Sequence, residues 1–186
     1  TRLTHSLEVS VVGRSLGRAA GASLLNRYPE LIQSHGYRAH DFGAIVAAAA
    51  LAHDIGNPPF GHSGEQAIGD FFKAGIGASF CKDLTHTQKQ DLQSFEGNAN
   101  GFKILTQNRV GVPGGLRLSY ATLGAFTKYP KPSLPQRPTS KVSDKKFGYF
   151  QAQAPFFDEV AQELGLCATD HTFHRHPLAF LVEAAD

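Results

Sequence analysis

The segment His53-Asp54-Ile55-Gly56-Asn57-Pro58-Pro59-Phe60-Gly61-His62-Ser63-Gly64-Glu65 concentrates the side chains of this sequence that can do chemistry. An adjacent imidazole and carboxylate, closing the apolar run Ala44 to Ala52, fall into one pocket. Both are ligand types suited to Mn²⁺, Fe²⁺, Co²⁺, Ni²⁺ or Mg²⁺ rather than to thiophilic metals. Burying such a pair without a cation or a hydrogen-bond partner is expensive. Two prolines and two glycines then fix a rigid loop that returns His62 beside the same pocket. Glu65, three residues on at a helix start, is close enough to orient the imidazole and stabilise its charge. The helix N-terminus itself favours an anion such as phosphate. A lone His-Asp pair is more often hydrogen-bonded core than a metal site. The pair followed by a locked loop and a second His/Glu pair reads as a site.

These residues must be positioned by helices. Leu7, Val11, Val12, Leu16, Ala19, Ala20 and Leu24 recur at three- and four-residue intervals, the pattern of a buried helix face ending near Tyr28-Pro29. Asp41 is placed to cap a second helix, apolar nearly all round through Ala52 and therefore central to a core. Gly56 and Pro58-Pro59 forbid its continuation. Ser63-Gly64-Glu65-Gln66 resembles a capping box opening a third helix through Phe72. Further helices are predicted at 94–106, 116–128, 155–165 and 176–186. Residues 74–93 and 129–148 read as irregular, with 146–151 the one strand candidate. The fold class expected is all-α, a helical bundle with long irregular loops in a single domain, 1–186.

Composition narrows the field. The 186 residues carry 18 Lys+Arg against 16 Asp+Glu, a net charge of +2 that announces neither a nucleic-acid nor a membrane protein. No run of apolar residues is long enough for a membrane span, and no signal peptide is visible. Two cysteines without zinc or disulfide spacing point to a reducing compartment, and a cytoplasmic location is expected. Nine histidines direct attention to imidazole chemistry. With no Met and a chain running from Thr1 to Asp186, the sequence reads as a fragment cut at both ends.

The His53-to-Glu65 segment closely resembles the HD-domain phosphohydrolases, specifically the deoxynucleoside triphosphate triphosphohydrolase (dGTPase-like) family. The resemblance extends over nearly the whole chain. Arg2-Leu3-Thr4-His5-Ser6-Leu7-Glu8-Val9, Phe95-Glu96-Gly97-Asn98-Ala99-Asn100, Lys128-Tyr129-Pro130, Lys146-Phe147-Gly148-Tyr149-Phe150 and the stretch from His176-Pro177-Leu178 to Glu183-Ala184-Ala185-Asp186 follow in family order. The resemblance implies an HD-domain helical fold and a divalent metal (Mn, Mg, Fe, Co or Ni) held by His5, His53, Asp54 and Asp186. It implies hydrolysis of a dNTP to deoxynucleoside and inorganic triphosphate, with His62 and Glu65 as the catalytic proton-transfer pair. Arg2, Asn57, Glu96 and Asn98 are the substrate-binding residues it implies. Many relatives carry His at position 57; Asn hydrogen-bonds a phosphate oxygen but carries no proton. Relatives are often oligomeric and some respond to single-stranded DNA, so a homo-oligomer and a single-stranded DNA or nucleotide effector are the partners implied. The segments completing the sugar and base pocket in the family lie outside the chain.

Two other readings compete. The same site could serve another nucleotide, or the chain could be a non-catalytic nucleotide-sensing or nucleic-acid-binding subunit. The basic stretch with Lys131, Arg137, Lys141, Lys145 and Lys146 reads first as a solvated connection. His171, His174, Arg175 and His176 read as a loop and helix start, His35, His40 and His86 as surface residues, and Gly114-Gly115 as a turn. Cys81 and Cys167 have no visible base partner, and the helical core accounts for the 14 phenylalanines.

Overall fold

The computed structural model describes residues 1–108, 111, 115–135, 145–169 and 172–186. Within them the chain forms α1 (Arg2–Arg27), α2 (Glu30–His35), α3 (Ala39–Ala52), α4 (His62–Lys73), α5 (Gly75–Ser79), α6 (His86–Gln93), α7 (Gly97–Thr106), α8 (Tyr120–Phe126), α9 (Ala154–Glu163) and α10 (Ala179–Ala185). A single 3₁₀ turn, Gln151–Gln153, precedes α9. Among the described residues there is no strand, only an isolated bridge between Cys167 and Phe173. The expected all-α fold is therefore the observed one, and the strand candidate at 146–151 is corrected to bends and the 3₁₀ turn. Gly114, Arg137, Lys141 and His171 lie outside the described residues.

The framework is the antiparallel pair α1 and α3, and it is built differently from the sequence expectation. Leu7, Val11, Val12, Ala19 and Leu24 are exposed, Val11 by 66%. The buried positions of α1 are Ser6, Val9, Gly13, Gly17, Gly21 and Leu25. Glycine at every fourth position lets the backbones approach: a Cβ at Gly17 would lie 2.7 Å from the Phe42 carbonyl oxygen and 2.9 Å from Gly43 Cα. Ser10 ties the pair by donating to the Ala47 carbonyl at 2.9 Å. A hydrophobicity count overlooks such a face because glycine contributes nothing to it.

Helix α3 is central, as its all-round apolarity requires, with Val46, Ala49 and Ala50 fully buried. It starts at Ala39 rather than at an Asp41 cap; Asp41 sits inside the first turn and accepts the Arg38 N–H at 2.8 Å. Against it pack α8 and α10, with α9 on α8, around an aromatic core in which Phe102 and Phe157 meet edge to face at 5.6 Å and Tyr149 stacks on Phe157 at 4.2 Å. Not all phenylalanines belong there: Phe60 is 88% exposed and Phe80 is also on the surface.

Other helix starts differ from expectation as well. Helix α4 begins at His62 with Gly61 as N-cap and without a side-chain cap, so Ser63 is not a capping residue. Within 74–93 the structure forms α5 and α6 instead of irregular chain. Helix α6 opens with a true capping box, Thr85 accepting the Gln88 N–H while Gln88 accepts the Thr85 N–H. That signal stands in the sequence as Thr-x-x-Gln. Asp91 near its end is buried and accepts Ser133 Oγ and the Gln151 N–H, both at 2.6 Å, which anchors the stretch between α8 and α9 at two points. No helix among the described residues is long and apolar enough to cross a membrane.

Candidate active site

One wall of the site is made where helix ends converge. His5 projects from the first turns of α1, His53 and Asp54 follow the last residue of α3, and Asp186 follows α10. The close α1–α3 pairing brings the His5 and His53 rings to 5.2 Å, edge to face. His53 Nδ1 lies 2.7 Å from the Ala50 carbonyl, an acceptor, so this nitrogen carries the proton and Nε2 carries a lone pair. Nε2 is buried and has no hydrogen-bond partner. It faces Asp54 Oδ1 at 3.5 Å and Asp186 Oδ1 at 3.4 Å, and that same Asp186 oxygen is 3.1 Å from His5 Nε2. A lone pair aimed at two carboxylates is repulsive unless a cation lies between them. His5, His53 and Asp54 offer ligand atoms within 4.8 Å of one another, a group able to hold a metal ion. Two imidazoles and carboxylate oxygens fit a divalent first-row metal or Mg²⁺.

Asn57 steadies this wall. Its Nδ2 donates to Asp54 Oδ1 at 2.5 Å, fixing the carboxylate from the side. The turn carrying it is wedged against α7: a Cβ at Gly56 would lie 2.1 Å from both the Gly101 nitrogen and the Gly97 carbonyl oxygen. Asn100 donates to the Gly56 carbonyl at 2.9 Å. Arg2 completes the clamp, its two terminal nitrogens donating to the Asn57 and Pro58 carbonyls at 2.9 and 2.8 Å.

The opposite wall carries the proton-transfer candidates. His62 is at the first position of α4 and strongly exposed, and its Nδ1 lies 2.7 Å from Glu65 Oε2. The other Glu65 oxygen accepts the Gly97 N–H at 2.8 Å. Glycine is required there, since a Cβ at position 97 would lie 2.3 Å from Asn57 Oδ1 and 2.9 Å from Glu65 Oε1. Burial alone pushes the Glu65 carboxyl up. The hydrogen bonds from His62 and Gly97, with the charges of Lys146 and His62, outweigh it and hold the group below its ordinary value. Glu65 is thus ionised at neutral pH, His62 Nδ1 bears the proton, and Nε2 is the nitrogen left for exchange.

Lys146 belongs to the site and not to a solvated connection. Its ammonium lies 3.1 Å from Glu96 Oε1 and 3.8 Å from Glu65 Oε2. The flanking Phe147 and Tyr149 are buried, which pulls the lysine inward. Between the two walls lies a cavity of about 300 Å³, lined among others by His53, Asp54, His62, Glu65, Lys128, Lys146 and Asp186. Lys128 enters it with its ammonium 2.8 Å from Glu183 Oε1.

Of the sequence-derived site residues, His53, Asp54, Asn57, His62, Glu65, Asn98 and Asp186 line this cavity. His5 stands beside it through Asp186 and His53. Arg2 and Glu96 are not in its lining: Arg2 braces the Asn57–Pro58 turn, and buried Glu96 holds Lys146 and accepts Asn98 Nδ2 at 2.7 Å. The sequence reading gave no site role to Lys128, Tyr129 or Glu183 and read Lys146 first as part of a solvated connection, although all four lie in the segments that carry the family resemblance. Of the bland readings, His35, His40 and His86 are exposed as expected. His174 and Arg175 precede α10, and His176 Nδ1 accepts the Leu178 N–H at 3.2 Å.

The HD domain family model matches residues 2–96. Similar proteins include a deoxyguanosinetriphosphate triphosphohydrolase-like protein of Synechocystis sp., 48% identical over 198 residues covering all of this chain and 44% of the relative. One of the same name from Listeria monocytogenes is 36% identical over 195 residues, again the whole chain and 40% of the relative. A deoxyguanosinetriphosphate triphosphohydrolase of Enterobacter sp. is 34% identical over 217 residues, with 40% of its length covered. The chain therefore spans less than half the length of these relatives. With the model matching more than half of the chain and the His53-Asp54 pair set at the end of α3, the chain belongs to the HD domain family.

Proposed function

We propose that this cavity is the centre of a divalent-metal-dependent phosphohydrolase that cleaves a deoxynucleoside triphosphate to deoxynucleoside and inorganic triphosphate. The observation that carries the metal is the buried, unpartnered His53 Nε2 facing two carboxylate oxygens. His5, His53, Asp54 and Asp186 are the residues that would hold it, and when bound it supplies Lewis-acid polarisation of a phosphate oxygen. The similar proteins are named for deoxyguanosine triphosphate, and that supports a deoxynucleoside triphosphate as the substrate class.

The chain's own residues supply the remainder. Lys128 and Lys146 offer two ammonium groups to the polyphosphate at the cavity wall. Water attacks the α-phosphorus, the bond to the 5′-oxygen breaks, and the leaving oxygen acquires a proton while the water loses one. His62 Nε2 is the atom through which that proton moves, and Glu65 holds the ring through Nδ1 and stabilises the imidazolium. Asn98 and Asn57 are polar groups of the lining that contact the substrate, Asn57 while keeping Asp54 in place. Arg2 keeps the loop rigid through the two carbonyls it binds, and the substrate contact implied by the family resemblance falls to its remaining N–H donors.

The test is incubation with each dNTP plus Mn²⁺ or Mg²⁺, with products separated by ion-exchange chromatography. Deoxynucleoside with intact triphosphate is the expected result. Monophosphate with pyrophosphate, or stepwise loss of phosphate, would move the chain to another branch of the family. Tight nucleotide binding with no turnover under any metal would make it a sensing subunit.

A further inference from the structure

The two lysines of the cavity are not equivalent. Lys146 is shared between Glu96 at 3.1 Å, which is outside the cavity lining, and Glu65 at 3.8 Å, which lines the cavity with it. Lys128 makes one short ion pair, 2.8 Å to Glu183 Oε1. The other Glu183 oxygen is 2.6 Å from an Arg175 terminal nitrogen. Arg175 is itself fixed: its side chain is 8% exposed and its guanidinium lies 4.2 Å over the Phe180 ring. Glu183, at the cavity lining on α10, is therefore anchored by Arg175 and is not free to move with Lys128 toward an incoming anion. Burial pushes the Lys128 ammonium down, but its pairing with Glu183 outweighs this and leaves it raised; burial pushes Glu183 up, and its bonds to Lys128 and Arg175 leave it lowered. Both partners are charged at neutral pH.

From this geometry we infer that Glu183 is a positioning residue that ties Lys128 back and so weakens the grip of the cavity on inorganic triphosphate. The inference rests on the reading of the cavity as a polyphosphate site. An ammonium bound to a fixed carboxylate engages an incoming anion only by stretching that pair, so part of its attraction for the anion is spent on leaving the carboxylate. A lysine without this partner would hold the departing triphosphate more tightly and release it more slowly. Glu183 touches neither the reacting atoms nor the proton path; it acts through Lys128.

The probe is inorganic triphosphate, titrated calorimetrically into the Mn²⁺-loaded protein. Glu183→Gln is expected to bind it about five-fold more tightly, the scale of one partly exposed ion pair. The same variant is expected to show lower kcat together with lower KM and stronger inhibition by triphosphate. Gln keeps an acceptor for Arg175, so the fold is preserved; Glu183→Asp, which withdraws the carboxylate but keeps its charge, should tighten binding partially. In a Lys128→Met background the effect of Glu183→Gln should vanish. Unchanged or weaker binding in Glu183→Gln overturns the inference. Equal tightening with Met at position 128 also overturns it, because Glu183 would then act on the anion directly. Failure of the native protein to bind triphosphate at all removes the polyphosphate reading and this inference together.

Discussion

The two walls of the cavity solve the problem of placing charged groups in different ways. The wall of His5, His53, Asp54 and Asp186 hangs from helix ends, and its short side chains sit where the backbone puts them. That backbone is fixed by the glycine contact of α1 with α3 and by the wedge of Gly56 against Gly97 and Gly101. The wall of His62, Glu65 and Lys146, and Lys128 where it meets α10, depends on pairing with carboxylates: His62 with Glu65 at 2.7 Å, Lys128 with Glu183 at 2.8 Å and Lys146 with Glu96 at 3.1 Å. The first wall is the more rigid at His53 and Asp54, whose side chains are 12% and 27% exposed on a packed backbone, while His5 and Asp186 are 44% exposed. The second is adjustable, since an arriving anion exchanges for a carboxylate already there. Such a division suits a site in which a metal stays and a polyphosphate comes and goes.

Removing a ligand from the rigid wall should have the largest effect. Asp54→Ala deletes a carboxylate facing His53 Nε2 and the acceptor of Asn57 Nδ2. Mn²⁺ affinity is expected to fall more than about 100-fold, beyond the range seen for loss of an outer partner of a metal ligand, and turnover with it. Calorimetric titration of Mn²⁺ checks this; retained affinity would place the metal elsewhere. His62→Ala, on the adjustable wall, should separate the two functions. Turnover is expected to drop by about 10²–10⁴-fold, the range of general acid–base catalysis, with Mn²⁺ affinity within two-fold of native. Lost metal binding in that variant would overturn the role given to His62.

A third variant strains the rigid wall without touching a ligand. In Gly17→Val the new Cβ would lie 2.7 Å from the Phe42 carbonyl oxygen and 3.0 Å from Val46 Cγ2, both on α3. The helices must part, at a cost of about 1–3 kcal/mol for overpacking, measurable by denaturant unfolding. Because His5 rides on α1 and His53 follows α3, Mn²⁺ binding should weaken several-fold as well. Unchanged affinity in a destabilised variant would show that the His5–His53 spacing does not depend on this interface.

How much of this was legible follows from the physics of each wall. His53, Asp54, His62 and Glu65 could be read because they are close in sequence and their types declare their chemistry. The all-α class followed from helical periodicity and the absence of strand patterns. The buried face of α1 was misread because the interface is made by Gly13, Gly17 and Gly21, residues without side chains to count; their four-residue spacing was the available signal. Helix α6 was missed because it is polar, although Thr85 and Gln88 spelled out its cap. The pairs Lys146–Glu96 and Lys128–Glu183 join residues 50 and 55 positions apart, and only tertiary packing brings them together. His5 and Asp186 were reachable through family resemblance alone, for the same reason.

The smallest expected effect concerns protons on the adjustable wall. Glu65 is held below its ordinary value of 4.5 in the folded protein, burial opposing and the His62 and Gly97 hydrogen bonds prevailing. The unfolded chain therefore binds more protons than the folded one as pH falls through this window, and stability rises with pH across it. The contribution is fully present above about 4.5, and it is lost as pH falls through the lowered folded value. Glu65→Gln lacks the titration. Its Tm should differ from native by a constant amount between pH 6 and 8, roughly the neutral range of protein stability, and the difference should shrink as the medium is acidified below the ordinary carboxylate range. A gap that stays constant into acid would mean that Glu65 is held by packing, as the residues of the rigid wall are, and the distinction between the walls would not extend to this carboxylate.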